Sequence, residues 1–153
     1  MPTLARLKKI SLFRDLTNDE LKKVSKIIKE ATFRKGAVIW EEGSPEQGLH
    51  IIDSGKVGIS RRTKDGNKQG LAVLKKDSFL GELSCLDGRS HSASAEALMK
   101  TTLFIIRKAD MDRLLNKNPK IAYKIVRDMA IEISHILRNM NDKFINMVDF
   151  LWD

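Results

Sequence analysis

All nine glycines of this 153-residue chain lie between Gly36 and Gly88, and this clustering constrains the fold more than any other feature. Glycine is costly inside helices, whereas tight turns between strands often require it. Turn signals recur through this window, as at Gly43-Ser44-Pro45, Asp53-Ser54-Gly55 and Asp65-Gly66-Asn67. The pattern predicts a β region of short strands between two glycine-free helical regions.

We therefore predict a mainly β domain with flanking helices, in which about eight strands form a double-stranded β-helix, or jelly roll. The predicted boundaries of this single domain are N-terminal helices over 1–31, the jelly roll over 32–107 and C-terminal helices over 108–153. The segments Val57–Ser60 and Leu71–Leu74 flank Asp65-Gly66 and should pair as a hairpin. Leu103–Ile106 is predicted to be a buried strand.

The N-terminal helix has a clear start signal. Thr17 and Glu20 have the spacing of a capping box, and Leu21, Val24 and Ile28 then recur at helical spacing. The sequence therefore predicts a helix that begins after Thr17 and continues to Ile28.

The C-terminal helix is predicted to begin at Asn118-Pro119, with Asn at the N-cap and Pro at the first helical position. No Gly or Pro follows, but Asn139, Asn141 and Asp142 are poor helix formers and predict a bend or break. Apolar residues recur at steps of three and four: Met129, Ile133, Ile136, Met140, Phe144, Met147 and Leu151. This stripe either packs on its own domain or pairs with a second chain, and its length favours the dimer.

Composition limits the class of protein. No apolar run approaches the roughly 20 residues of a membrane helix, and a single cysteine, Cys85, suits a reducing, cytoplasmic compartment. The formal charge of +8 is concentrated in two basic clusters, between Lys8 and Lys35 and between Arg61 and Lys68. They would attract nucleic acid, anionic lipid or an acidic partner, or else are solvated faces; the lack of interleaved aromatic residues favours solvated faces.

Neither catalysis nor a cofactor is expected. The chain has no Gly-x-Ser-x-Gly elbow, and His50, His91 and His135 lack the spacing of metal ligands.

The main site hypothesis rests on the segment from Phe79 to Ala95. Gly81 allows the backbone to approach a ligand closely, and successive N–H groups at the start of a helical turn can hold an anion. Glu82 would accept hydrogen bonds from hydroxyl groups beside that anion. A site for both a phosphate and a sugar hydroxyl is a nucleotide site.

Gly81-Glu82-Leu83, followed by Ser92-Ala93-Ser94, resembles the phosphate-binding cassette of the cyclic nucleotide-binding domain family, and the resemblance extends over about Leu12 to Asn139. It implies that the ligand is cyclic AMP or cyclic GMP and that Glu82 accepts the ribose 2′-OH. It also implies that further residues supply backbone N–H groups or walls: Gly81, Leu83, Ser84, Ser92 and Ala93. Base recognition would come from the C-terminal helix, around Ile136 and Leu137.

His91 stands where this family has an arginine that pairs with the cyclic phosphate. Loss of such a contact costs about 1.5–3 kcal/mol, or about 10- to 150-fold in affinity. Arg89 is a candidate replacement, and His91 would carry the charge only as an imidazolium, with its pKa raised by the phosphate from about 6.5. The alternative is a neutral His91 held by local backbone.

The sequence thus predicts a regulatory sensor that binds a cyclic nucleotide or a similar phosphorylated small molecule and signals through its C-terminal helices. Its effector protein is not identified, a homodimer through the C-terminal helix is expected, and no DNA-binding module is expected before Asp153. The alternative is a degenerate member that serves as a protein-interaction or dimerisation scaffold.

Overall fold

The computed structural model describes residues 1–152, which contain eight strands in two antiparallel sheets. The first sheet has the order β1-β8-β3-β6 and the second the order β2-β7-β4-β5. The strand bounds are β1 Ile28–Phe33, β2 Val38–Trp40, β3 Leu49–Ser54, β4 Lys56–Arg62, β5 Lys68–Lys75, β6 Phe79–Leu80, β7 Ser94–Ala97 and β8 Thr101–Ile106. The predicted mainly β class with flanking helices is confirmed.

The helices lie on either side of the strands in sequence, except for one short helix inserted between β6 and β7. Their bounds are α1 Leu4–Leu7, α2 Asn18–Ser25, α3 Glu82–Asp87, α4 Lys108–Lys117 and α5 Pro119–Trp152, with a 3-10 turn at Ser11–Phe13. Within the described part of the chain, no helix combines the length and the apolar character that a bilayer crossing needs.

The predicted hairpin and the predicted buried strand are both present. Strands β4 and β5 pair in antiparallel register, with Val57 opposite Leu74 and Ile59 opposite Ala72. Leu103 and Ile106 are fully buried in β8, which lies between β1 and β3 in the first sheet.

Helix α2 begins with the predicted capping box. The Glu20 amide donates to the Thr17 hydroxyl at 3.2 Å, and the Thr17 amide donates to the Glu20 carboxylate at 2.8 Å. Lys124 of α5 also donates to the Glu20 carboxylate at 2.8 Å, which ties α2 to α5. The hydrogen bond from Lys124 is the main reason why the pKa of Glu20 lies below its usual range.

The predicted extension of the first helix to Ile28, and the predicted end of the helical region at residue 31, are wrong. Helix α2 ends at Ser25, and Ile28 already pairs with Ile106 as the first residue of β1. Ile28 follows the helical spacing because it packs in the same core cluster as Val24. The hydrogen bonds between β1 and the whole length of β8 outweigh the local helical pattern at Ile28.

The start of α5 differs from the prediction in one respect. Pro119 is its first residue, as expected, but the Asn118 side chain caps the preceding helix instead. Its amide nitrogen donates to the Leu114 carbonyl at 3.1 Å, and its oxygen accepts from Lys23 at 3.0 Å. The short connection between α4 and α5 makes the last carbonyls of α4 available to this side chain.

Of the bend or break predicted at Asn139–Asp142, the break is absent, because α5 is continuous from Pro119 to Trp152. Each Asn or Asp in a helix interior costs less than about 0.7 kcal/mol relative to alanine, and no Gly or Pro adds to that cost. Ile121, Ile125 and Met129 are buried, whereas the stripe beyond them is exposed at Ile136, Met140, Phe144, Met147 and Leu151.

The core has two parts. One cluster joins the N-terminal helices to the first sheet and to the start of α5, around Phe13, Leu21 and Ile125. The other lies between the two sheets and includes Trp40, Ile52, Val57, Leu80 and Leu103. The second cluster lies next to the cavity described below.

Replacement of Thr17 by Ala should lower the free energy of unfolding by about 1 kcal/mol, because the Glu20 amide loses its acceptor. Denaturant titration measures this loss. Thr17→Ser keeps the hydroxyl and should retain most of the stability; an equal loss in both variants would contradict the capping role.

Candidate functional site

A cavity of about 290 Å³ lies at the junction of the second sheet, α3 and α5. Its lining residues come from six elements and one loop: Trp40, Ile59, Ala72, Leu74, Phe79, Leu80, Gly81, Glu82, Leu83, Ser84, His91, Ser92, Ala93 and Ile136. Small-molecule sites in proteins usually have volumes of roughly 300–1,000 Å³, so this cavity is at the lower end of that range.

Gly81 precedes α3 in the left-handed conformation, with φ of 76°. A Cβ at this position would lie 2.6 Å from the Gly48 carbonyl oxygen and 3.2 Å from the Trp40 ring. The glycine is therefore required by the close packing of two backbone segments, and not only by the approach of a ligand. This packing fixes where α3 begins relative to the sheet.

Helix α3 is held at its other end by α4. The Lys108 ammonium of α4 donates to the Cys85 carbonyl at 2.9 Å. The Gly88 amide caps α3 itself by donating to the Ser84 carbonyl at 2.8 Å. Burial raises the pKa of the Cys85 thiol to about 11, so this cysteine is a packing residue and not a thiolate.

Glu82 lies in the first turn of α3 and lines the cavity. Desolvation raises the pKa of its carboxyl above the usual range, and a contact with its own backbone amide opposes this only in part. No neighbouring cation contributes to the shift. The carboxyl is thus available to hydroxyl groups within the cavity.

His91 is only 4% exposed, and its ring stacks on Trp40 with centroids 3.9 Å apart and planes inclined by 6°. Its backbone is held by the loop after β2, since the His91 amide donates to the Ser44 carbonyl and the Gly43 amide donates to the His91 carbonyl. Its Nε2 atom has no hydrogen-bond partner among the described residues. Burial lowers the pKa of His91, although the Glu46 carboxylate acts in the opposite direction.

Trp40 is the centre of an aromatic cluster. Besides stacking on His91, it meets the His50 ring edge-on at 4.9 Å, and its indole N–H donates to the Ala93 carbonyl at 2.9 Å. Burial lowers the pKa of His50 to about 4, so this second imidazole is neutral at pH 7. Trp40 thus holds both the side chain at position 91 and the backbone at position 93.

The structure brings together seven of the eight residues proposed from the sequence, and Arg89 is the exception. Gly81–Ser84 form one side of the cavity and His91–Ala93 the other. The Arg89 side chain is 87% exposed, lies 3.8 Å from the Asp87 carboxylate and does not line the cavity. Of the two positions expected to face a purine, Ile136 lines the cavity, whereas Leu137 is exposed and does not.

The apolar wall of the cavity was not predicted from the sequence. Ile59, Ala72 and Leu74 reach it because the β4–β5 register turns them inward, while Leu71 and Val73 remain exposed. The sequence of β5 gives no signal here, because Leu71–Leu74 is a continuous apolar run, and only the packing of α5 shows which face of the hairpin borders the cavity. In residues 1–152, no group of three or more His, Cys, Asp or Glu side chains is placed to hold a metal ion.

Substitution of Gly81 by Ala should destabilise the fold by about 1–3 kcal/mol, because a side chain is strained at this φ and has no space beside Gly48. Gly70→Ala is the matched control, since a Cβ there has no heavy atom within 4 Å. The comparison is made by thermal and denaturant unfolding. Equal stability of the two variants would contradict the close packing described above.

Comparisons with known proteins agree with this geometry. The chain is 28% identical over 141 residues to a CRP-like cAMP-activated global transcriptional regulator of Mycobacterium tuberculosis, covering 89% of this chain and 61% of that protein. It is 29% identical over 119 residues to the cyclic AMP receptor protein of Thermus thermophilus, covering 78% of this chain and 55% of that protein. The chain thus spans less than two thirds of the length of these relatives.

A solved structure supports the fold independently. A cyclic nucleotide-binding domain from Methylobacillus flagellatus superimposes with a TM-score of 0.81 at 24% identity, covering 92% of this chain and 79% of that one. The profile of the cyclic nucleotide-binding domain matches residues 30–118, which include seven complete strands, α3 and the whole cavity wall except Ile136. This chain belongs to the cyclic nucleotide-binding domain family.

Proposed function

We propose that this domain is a regulatory sensor that binds a cyclic purine nucleotide, cyclic AMP or cyclic GMP, in the cavity and signals through α5. The proposal is supported by one shared cavity, which is bordered by Gly81–Ser84, His91–Ala93 and Ile136 of α5. A molecule in that space would contact the cassette and the helix at once.

The sugar side of the ligand has a suitable partner in Glu82. This carboxyl borders the cavity without a cationic partner, so a sugar hydroxyl can donate to it. Ser92 and Ala93 have small side chains, which leaves space for the rest of the sugar-phosphate ring opposite α3. The apolar wall at Ile59 and Leu74 suits the flat face of a base.

The proposed signal passes from the cavity to α5 by direct contact. Ile136 is 48% exposed at the cavity edge, so a bound ligand would cover part of it and favour helix positions that keep this contact. A second connection is the hydrogen bond from Lys108 of α4 to the Cys85 carbonyl at the C-terminal part of α3. Movement of α3 on ligand binding would therefore pull on α4, which directly precedes α5.

The exposed stripe on α5 supports a second role, dimerisation. Phe144, Met147 and Leu151 are 59%, 54% and 72% exposed, and they continue the helical spacing of the buried part of α5. A second copy of α5 would cover such a stripe as in a coiled coil. This role stands with or without ligand binding, and it is also what the scaffold alternative requires.

Ligand binding is tested by calorimetry and thermal shift with cyclic AMP and cyclic GMP. Binding should raise the melting temperature, because a ligand adds RT ln(1 + [L]/Kd) to the stability of the folded state. Glu82→Gln should weaken the affinity by about three- to tenfold, since the sugar hydroxyl then donates to a neutral amide oxygen instead of a carboxylate.

Glu30→Gln is the matched control, because Glu30 is exposed on β1 and does not line the cavity. It should leave the affinity unchanged. Absence of heat and of thermal shift with both nucleotides at millimolar concentration would contradict the sensor proposal and favour the scaffold.

Dimerisation is tested by sedimentation of Phe144→Lys beside Asn146→Lys. Both variants add one positive charge to α5, but only Phe144 belongs to the apolar stripe. We expect a dimer for the unaltered chain and for Asn146→Lys, and a shift towards monomer for Phe144→Lys. A monomeric unaltered chain at high micromolar concentration would exclude this interface.

A further inference from the structure

The cavity wall contains no permanent positive charge. None of its lining residues, all of which belong to the described part of the chain, is a lysine or an arginine. The side chains in the wall that can ionise are Glu82, an acid, and His91, a weak base. Arg89, the nearest arginine in sequence, is directed at Asp87 and solvent.

His91 is poorly placed to supply the missing charge at neutral pH. It is stacked flat on Trp40 and almost completely buried, with Nε2 unpartnered. The ionisable groups around it are Glu46, whose carboxylate favours the imidazolium, and His50, whose charge would oppose it across Trp40. Desolvation is the largest influence, so the neutral ring is the stable form.

A phosphodiester in this cavity would therefore be desolvated next to the Glu82 carboxyl, with only the backbone N–H groups of the first turn of α3 and no cation to replace its hydration. Removing an anion from water is costly unless a charged partner or several hydrogen bonds replace the lost hydration. An uncharged ligand avoids this cost. It would still use the Glu82 carboxyl for sugar hydroxyls and the apolar wall for a flat ring.

We propose that at neutral pH this site accepts uncharged nucleosides, a purine ring bearing a sugar with free hydroxyls, about as well as the corresponding cyclic phosphates. This inference rests on the proposed function, since it concerns the same cavity, and it specifies the ligand class. The cyclic phosphate gains its advantage only when His91 takes up a proton, so its preference over the nucleoside increases as the pH falls.

The experiment is a calorimetric comparison of adenosine with cyclic AMP, and of guanosine with cyclic GMP, on the full chain at pH 8 and pH 6. At pH 8 the cyclic phosphate should bind less than about tenfold more tightly than its nucleoside, tenfold being the lower bound for a cation–phosphate contact. At pH 6 the preference for the cyclic phosphate should increase. His91→Arg should give a preference of about tenfold or more at pH 8.

A cyclic phosphate that binds the unaltered chain more than about tenfold more tightly at pH 8 would overturn the inference and leave the proposed function standing. Failure of both ligand types to bind would instead overturn the proposed function, and the inference with it. Should His91→Arg not fold, His91→Gln is the second test: its preference for the cyclic phosphate over the nucleoside should be the same at pH 8 and pH 6. Persistence of the pH effect in His91→Gln would overturn the role given to His91. His135→Gln is the control, because His135 is exposed and its substitution should leave the pH effect unchanged.

Discussion

The stack of Trp40 on His91 is the contact on which the cavity depends. It fixes a side chain of the cassette against β2, and the indole N–H of the same tryptophan holds the Ala93 carbonyl. Trp40 also limits the space beside Gly81, so both sides of the cassette are positioned against one ring. Because the ring is large and almost fully buried, its orientation is set by the core between the sheets and not by a ligand.

That stacking favours the neutral form of His91 and leaves the cavity without a positive charge. A neutral imidazole packs well on an indole face, whereas a buried imidazolium would lose most of its hydration. The cassette therefore combines the Glu82 carboxyl with an uncharged His91 on the opposite side of the cavity. The proposed coupling to the helices would not depend on that charge, since Ile136 borders the cavity and Lys108 binds the Cys85 carbonyl in either case.

Local signals predicted much of the fold. The capping box at Thr17, the β4–β5 hairpin and the start of α5 at Pro119 each depend on residues close in sequence. Two errors arose where residues distant in sequence make the contact: Ile28 pairs with β8 as part of a strand, and Lys23 donates to the side chain of Asn118. In the site, the spacing of the motif predicted that Gly81–Ser84 and His91–Ala93 lie together. The stacking of His91 on Trp40 and the outward direction of Arg89 depend on the packing of β2 and α3, which the sequence alone does not give.

Whether the cassette lacks a fixed positive charge at neutral pH can be measured by ring nitrogen NMR of His91. Spectra of nitrogen-15-labelled protein with and without the substitution His91→Gln assign the signals among the three histidines. At pH 7 the free protein should show a neutral His91 with one protonated and one unprotonated ring nitrogen. Two protonated ring nitrogens at that pH would show an imidazolium beside Trp40 and contradict the account.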